Sequence, residues 1–350
     1  MKAVLKRSVA PGVSIEDIPI PEIKDNEVLV QVMAAGICGS DVHMYEGTPN
    51  YEWVAPYMPV VIGHEYAGIV VKTGNQVSTV KTGDRVACMC LSPCGVCHMC
   101  KTNRRHFCEA AFSRMMGYVN NGGFAEYSAV PEIGCVKLPD NITYEAGALI
   151  EPMSVCVNAV NDAGIRFGDA VVVMGPGPIG LMTLLFARAS GAGKCIMIGT
   201  SKDTTRLELA KRFGADRIVI ADETDVTEEI MKETGRYGAD VVFEATGVPG
   251  LIQTGLDMLT KSGKLVAVGI YPQETKISLT NTVRGAKKII GTYGGDITWE
   301  RILNWLSSES YYAGRIQEII SNRTNINDAE AAFQRCVRKE NIKEMFTSFV

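Results

Sequence analysis

The segment Cys38-Gly39-Ser40-Asp41-Val42-His43, followed by Gly63-His64-Glu65, gathers a thiol, a hydroxyl, carboxylates and two imidazoles in a short span. Cys, His and Glu suit the borderline-soft Zn²⁺ ion. A site with few protein ligands keeps one coordination position open, which is what polarising an alcohol requires. A second cluster has a different character. Cys94, Cys97, Cys100 and Cys108 follow the spacing C-x₂-C-x₂-C-x₇-C, and four thiolates close a tetrahedral zinc site that is structural. Cys88 and Cys90, just before it, read as buried small hydrophobes. His98 and His106, inside the lobe, read as exposed bystanders. The basic run Lys101 to His106 has no wider basic face to join, so it does not argue for nucleic acid.

A third motif is Gly175-Pro176-Gly177-Pro178-Ile179-Gly180, a G-x-G-x-x-G directly after the apolar run Ala170–Met174. The first glycine permits a tight turn, the second lets a pyrophosphate approach the backbone, and the third lets helix pack on strand. The helix N-terminus then faces the phosphates. Gly193-Lys194 is not the end of a P-loop, because Arg188 stands where the earlier glycine belongs and Cys195 where Ser or Thr belongs. An acidic residue that grips the adenosine ribose is expected at the end of the second strand. Ser201 occupies that position, beside Lys202 and ahead of Arg206. A hydroxyl next to a cation favours a 2′-phosphate, so the expectation is NADP over NAD. Thr246-Gly247 and Val268-Gly269-Ile270 follow two further strands, where an open α/β sheet binds ligands.

These motifs need two kinds of scaffold. Up to about residue 150 the chain alternates short β-type runs with turn signals: 27–33, 68–72, 83–87 and 124–130. From about residue 168, strands alternate with helices of roughly ten residues, which implies parallel βαβ units. Strands are expected at 170–174, 194–199, 217–221, 239–244, 263–270 and 287–291, and helices at 204–213, 226–234 and 251–260. The tail from about 292 reads as helical, clearest at 299–306, with Arg335 to Lys339 a solvated face.

The 350 residues suit two domains. A net charge of −4 gives no electrostatic reason for a nucleic-acid or membrane partner. The most apolar stretch, 170–187, is interrupted by four glycines and prolines at 175–178 and again at Gly180, which argues against a membrane span. Eleven cysteines, an odd and clustered set, argue for metal binding in a reducing compartment. No signal-peptide pattern follows Met1, so the expected location is cytoplasmic.

Taken together, Gly63-His64-Glu65-x₂-Gly68-x₅-Gly74, the four-cysteine lobe, the Cys38–His43 segment and the nucleotide fingerprint resemble the zinc-dependent medium-chain dehydrogenase/reductase family over essentially the whole chain. The stretch Lys137–Thr143 through Gly147–Val155, with Glu151-Pro152, is similar to the sorbitol-dehydrogenase-like polyol dehydrogenases. The resemblance implies an α/β fold: a GroES-like, β-rich catalytic domain at 1–153 with its zinc lobe at 88–108, a Rossmann doubly wound parallel sheet at 154–289, and a return to the catalytic domain at 290–350. It implies two zinc ions per chain, a cleft site between domains, and a homotetramer or dimer.

It also implies roles. Cys38, His64 and Glu65 hold the catalytic zinc, with Glu151 as fourth ligand or partner of its water. Ser40 takes the substrate proton and His43 passes it to solvent, while Asp41 orients His64. Tyr45 and Trp53 are candidates for the substrate pocket. The chain departs from sorbitol-type enzymes at Gly291-Thr-Tyr293-Gly-Gly-Asp296, where an Arg that meets substrate hydroxyls is missing. The expected reaction is oxidation of a secondary hydroxyl of a polyol, polyol phosphate or inositol. The rivals are a threonine 3-dehydrogenase, suggested by the Tyr-Gly pair at 293–294, and a non-catalytic zinc and nucleotide module, against which the Ser40–His43 relay argues.

Overall fold

The computed structural model describes residues 1–295, 298–308 and 311–349. The chain forms two compact units, residues 1–154 with 296–350, and residues 155–295. The expected boundary after residue 289 falls inside the strand Lys288–Gly291, the last of the parallel sheet. That strand's pairing with Leu259–Ala267 keeps the second unit intact to Gly295.

The first unit is β-rich, as expected of a GroES-like domain. The strand Glu27–Gly36 is its centre, pairing antiparallel with Glu65–Thr73, with Tyr127–Pro131 and with Lys343–Ser348. Its burial alternates only near the middle, and both ends are covered on two faces. Val28, Val30 and Val32 pack with Tyr66, Phe124, Phe333 and Phe346 in one core.

The helical expectation for the tail holds only in part. Trp299–Leu306 and Ala329–Val337 are helices, but Ile320–Asn325 and Lys343–Ser348 are strands that pair with each other in parallel. The second strand carries a Lys-Glu pair among its apolar residues, which masks its β pattern. Both charges are buried and partnered. Arg335 consequently does not lie on a free solvated face. It ion-pairs at 2.6 Å with Glu344, whose side chain is fully buried.

The second unit carries six parallel strands, ordered 3-2-1-4-5-6 when numbered along the chain. This is the doubly wound nucleotide-binding order, which reverses beside the first strand, Ala170–Met174. The strands Lys194–Gly199 and Ala239–Glu244 flank it. All three are continuous apolar runs because the sheet is covered on both faces. Two features differ from expectation: the helix Leu251–Met258 ends two residues early, with the strand beginning at Leu259, which pairs with Ala239 ahead of a register shift, and Leu279–Arg284 forms a helix that was not expected. Among the described residues no helix is long and apolar enough to cross a membrane.

Candidate active site

The segment Cys38–His43 folds as a helix start because its residues suit one. Cys38 is extended at the N-cap, the helix runs Gly39–Glu46, and Gly47 ends it with φ +70°. Asp41, at the third helical position, accepts the Cys38 N–H through Oδ2 at 2.9 Å. Its other oxygen lies 3.2 Å from His64 Nδ1, and both side chains are buried. One carboxylate therefore holds the backbone of one expected ligand and lies beside the imidazole of another. Cys38, His64 and Glu65 each offer one ligand atom, all within 4.8 Å of one another. The chemistry of this donor set and the compact triangle fit a zinc ion.

Glu65 opens the strand Glu65–Thr73, opposite Gly36. Its carboxylate forms an ion pair with Lys343, both side chains being buried. Lys343 Nζ also donates to Ile37 O at 2.9 Å. A Cβ at position 36 would stand 2.5 Å from Glu65 Oε2 and 3.0 Å from Lys343 Cε, so a larger residue there would displace this ion pair. Burial alone would lower the Lys343 pKa, but Glu65 and then Cys38 outweigh it and hold the ammonium charged. Lys343 escaped the sequence reading. Its one signal is the Lys-Glu pair set between Ile342 and Met345.

Glu151 lies in the first turn of the helix Ile150–Ala163 and stands outside the three-residue ligand cluster. Its carboxyl is pushed up to about 7, chiefly by burial; the neighbouring charges of Glu65 and Asp41 add to the shift, and those of His64 and Lys343 oppose it.

Ser40 Oγ sits 3.5 Å from His64 Nε2 and accepts a hydrogen bond from the Tyr118 hydroxyl at 2.6 Å. Tyr118 is buried, and its ring lies 5.0 Å from the His64 ring. Burial raises its pKa well above the ordinary phenol range, so it is a donor at neutral pH. His43, exposed at the end of the same helix, stacks on Tyr51 at 5.8 Å, and Tyr51 in turn faces Tyr118 at 6.4 Å. Neither tyrosine was legible as a site residue, since each follows a loop with no periodic pattern. Trp53 packs on Phe112 at 4.6 Å and on Tyr118 at 5.8 Å, which puts it beside this aromatic cluster. Tyr45 points elsewhere: its ring stacks on Phe333 at 4.9 Å and its hydroxyl bonds Glu330 and Gln334. It is a core residue, and its candidacy for the pocket is withdrawn.

The four lobe cysteines converge. Their sulfurs lie within 4.8 Å of one another, with Cys94–Cys100 and Cys97–Cys108 each at 3.9 Å. A tetrahedral zinc with Zn–S of about 2.3 Å requires sulfur–sulfur edges of about 3.8 Å, whereas a disulfide brings the atoms to about 2 Å. Backbone N–H groups of Val96 and Cys97 point at Cys94 Sγ and pull its pKa down to about 6. Cys88 and Cys90 are buried outside this set, as expected. His98 is exposed as expected, and His106 is half-buried.

In the second unit the three fingerprint glycines differ in their surroundings. Gly175 has φ +97°, and a Cβ there would meet Thr246 Cγ2 at 2.6 Å. A Cβ on Gly180 would stand 1.9 Å from Gly175 O, while one on Gly177 would meet nothing within 4 Å. The open face at Gly177 is the cradle a pyrophosphate needs, at the N-cap of the helix Pro178–Ala189, whose first residues are Pro178 and Ile179. Thr246 joins this rim. Buried Glu244 accepts the backbone N–H of Thr246 at 2.8 Å and of Gly247 at 3.1 Å, the Thr246 hydroxyl, and the Tyr271 hydroxyl at 2.5 Å. Val268 and Gly269 donate their N–H groups to Glu244 O at 2.9 and 3.1 Å, and Ile270 is exposed beyond them. Glu244 thus ties two ligand-side loops together, which its strand-end position did not reveal.

At the second strand's end Ser201 and Lys202 are exposed, and Arg206 lies 3.8 Å from Asp203. Asp203 accepts the N–H and hydroxyl of Thr200 at 2.9 and 2.7 Å. Asp296 lies outside the described residues.

Comparison with known proteins agrees with this geometry. Residues 24–140 match the alcohol dehydrogenase GroES-like domain, and residues 178–308 match the zinc-binding dehydrogenase family. The chain is 33% identical to D-arabitol-phosphate dehydrogenase of Enterococcus avium, over 99% of this chain and 97% of that one. It is 35% identical to L-threonine 3-dehydrogenase of Bacillus velezensis, over 95% of this chain and 94% of that one. A zinc-binding dehydrogenase of Sinorhizobium meliloti, solved with NADP, superposes with a TM-score of 0.88 at 29% identity, covering 99% and 98% of the two chains. With both halves matched and full-length relatives above 30% identity, this chain belongs to the zinc-dependent medium-chain alcohol dehydrogenase family, in its polyol-dehydrogenase-like branch.

Proposed function

We propose that the enzyme reversibly oxidises a secondary hydroxyl of a polyol or polyol phosphate to a ketone, with a nicotinamide dinucleotide as hydride acceptor. The observation that carries this reading is the triangle Cys38–His64–Glu65, with the Ser40 hydroxyl 3.5 Å from His64 Nε2. Cys38, His64 and Glu65 would hold the catalytic zinc, and Cys94, Cys97, Cys100 and Cys108 the structural one. Bound at the first site, zinc supplies the Lewis acidity that brings an alcohol's pKa towards neutrality. Glu151 either completes that ligand set or hydrogen-bonds the group that does.

Ser40 Oγ receives the substrate proton. Tyr118 already donates to that oxygen, so the Ser40 proton is free to point away from Tyr118 and leave. His43, exposed on the same helix, is the exit towards solvent. In the second unit Gly175, Gly177 and Gly180, with Pro178 and Ile179, would seat the pyrophosphate, while Thr246 and residues 268–270 would line the rim. A nicotinamide held there would supply the acceptor for the carbon-bound hydrogen as hydride.

The likeness to D-arabitol-phosphate dehydrogenase supports a polyol phosphate, and the missing sorbitol-type arginine after Gly291 argues against sorbitol itself. The threonine reading retains support from the 35% identical threonine dehydrogenase and from the Tyr293-Gly294 pair. Homo-oligomerisation as a dimer or tetramer, and a cytoplasmic location, rest on family resemblance and cysteine usage. The test is a panel of polyols, polyol phosphates, inositols and threonine, assayed with NAD and NADP on zinc-loaded enzyme. Turnover of polyols or their phosphates is expected. Turnover of threonine with no polyol active would overturn the substrate class, and cofactor binding without any turnover would point to a non-catalytic module.

A further inference from the structure

Ser201 is not a free hydroxyl. Its backbone N–H donates to Asp222 Oδ1 at 2.8 Å and its Oγ donates to Asp222 Oδ2 at 2.5 Å. The pairing follows from sheet register. Strands Lys194–Gly199 and Arg217–Ile220 are parallel neighbours, with Gly199 opposite Ile220. Ala221 N–H donates to Gly199 O at 2.8 Å, so the ladder carries on past the last paired residues. Two residues further along each chain, Ser201 and Asp222 emerge side by side at the carboxyl edge of the sheet, where ligands bind.

The consequence is a reversal of hydrogen-bond polarity. A serine hydroxyl has one proton and two lone pairs. With that proton on Asp222 and the N–H there too, Ser201 has no donor left. Its oxygen can only accept. A ribose 2′-hydroxyl brings a proton and suits such an acceptor. A 2′-phosphate brings only acceptor oxygens and close to two negative charges, and it would meet the Asp222 carboxylate at the same place. The cations nearby do not reverse this. Arg206 faces Asp203 at 3.8 Å, and Asp203 is itself fixed by Thr200. Lys202 is exposed; the Ser201 hydrogen bonds chiefly, and the Lys202 charge to a lesser degree, hold the Asp222 carboxyl lower.

We propose that Asp222 is a specificity-determining residue for the nucleotide: acting through Ser201 it supplies, from the third strand, the acidic ribose contact that the second strand lacks, and it selects NAD over NADP. This replaces the sequence expectation of NADP, which considered Ser201 and Lys202 without their neighbour. It rests on the nucleotide-binding part of the proposed function.

The test is equilibrium binding of NADH and NADPH to the zinc-loaded enzyme, followed by nicotinamide fluorescence. Wild type should bind NADH about 10-fold or more tighter than NADPH, a preference worth about 1.4 kcal/mol. Asp222→Ala and the more conservative Asp222→Asn should each shrink that ratio by about 10-fold, mainly by tightening NADPH. Ser201→Asp should widen it. A simple loss of folding would weaken both nucleotides equally and leave the ratio untouched. Tighter NADPH binding in wild type would overturn the proposal. So would an unchanged ratio in both Asp222 variants while both nucleotides still bind. Failure of both nucleotides to bind wild type would instead sink the proposed function, and this inference with it.

Discussion

At the scale of single residues, the site is organised by groups that touch no substrate. Asp41 is the clearest. Its two oxygens serve the Cys38 backbone and the His64 ring. Orienting partners of metal ligands typically contribute one to two orders of magnitude in metal affinity. Asp41→Asn should therefore weaken zinc binding about 10- to 100-fold, measured by competition with a chromophoric chelator, and an unchanged affinity would remove it from that role. Ser40 is argued to act on the proton instead of the metal. Ser40→Ala should lower turnover by about 10²-fold with zinc content retained. Undiminished turnover would exclude it from the relay. Motif spacing made Cys38, Ser40, His64 and Glu65 legible because each lies in a short, ordered segment. Tyr118 and Lys343 were not legible, because their relation to the site exists only across folded strands and loops.

At the scale of elements, the strand–turn–helix at 170–189 offers a sharp contrast between two glycines. A methyl group on Gly180 would collide with Gly175 O at 1.9 Å, whereas one on Gly177 has open space. Gly180→Ala should cost stability by about 1–3 kcal/mol through overpacking, seen as a lower melting temperature. Gly177→Ala should leave the melting temperature of the nucleotide-free enzyme nearly unchanged and weaken nucleotide binding about 10-fold, since the added group fills the phosphate approach. Equal effects of the two variants on stability would refute this assignment of roles. The sequence placed this element well, and its neighbours 194–199 and 239–244 with it, because fully buried parallel strands read as unbroken apolar runs. It misplaced the C-terminal strands, where Lys343 and Glu344 interrupt the apolar pattern.

At the scale of the whole molecule, the first unit is closed by the chain's own end. Residues 296–350 belong to the same compact unit as residues 1–154. The strand Lys343–Ser348 extends the central sheet and brings Lys343 to Glu65. Lys343→Met removes one half of a buried ion pair. It should destabilise the metal-free enzyme by about 3–5 kcal/mol, measured by denaturant unfolding, with zinc restoring part of the loss by neutralising Glu65. Destabilisation within error of zero would mean that Glu65 needs no such partner. Metal analysis of the intact enzyme should find about two zinc ions per chain, one readily exchanged and one held by the closed thiolate set. A single, tightly held zinc would contradict the catalytic site.

The sequence alone carries the available chemistry and the family. Ligand spacing, the glycine fingerprint and strand runs are local properties, set by the few residues a turn or helix start spans. It did not determine which neighbours those residues meet. The tertiary structure decided that Glu65 faces Lys343, that Ser40 accepts from Tyr118, and that Ser201 gives its proton to Asp222. Each of those pairs is fixed by sheet register or strand order between distant segments. A hydroxyl's role as donor or acceptor depends on such a partner, so nucleotide choice could be argued only once strands 194–199 and 217–220 lay side by side.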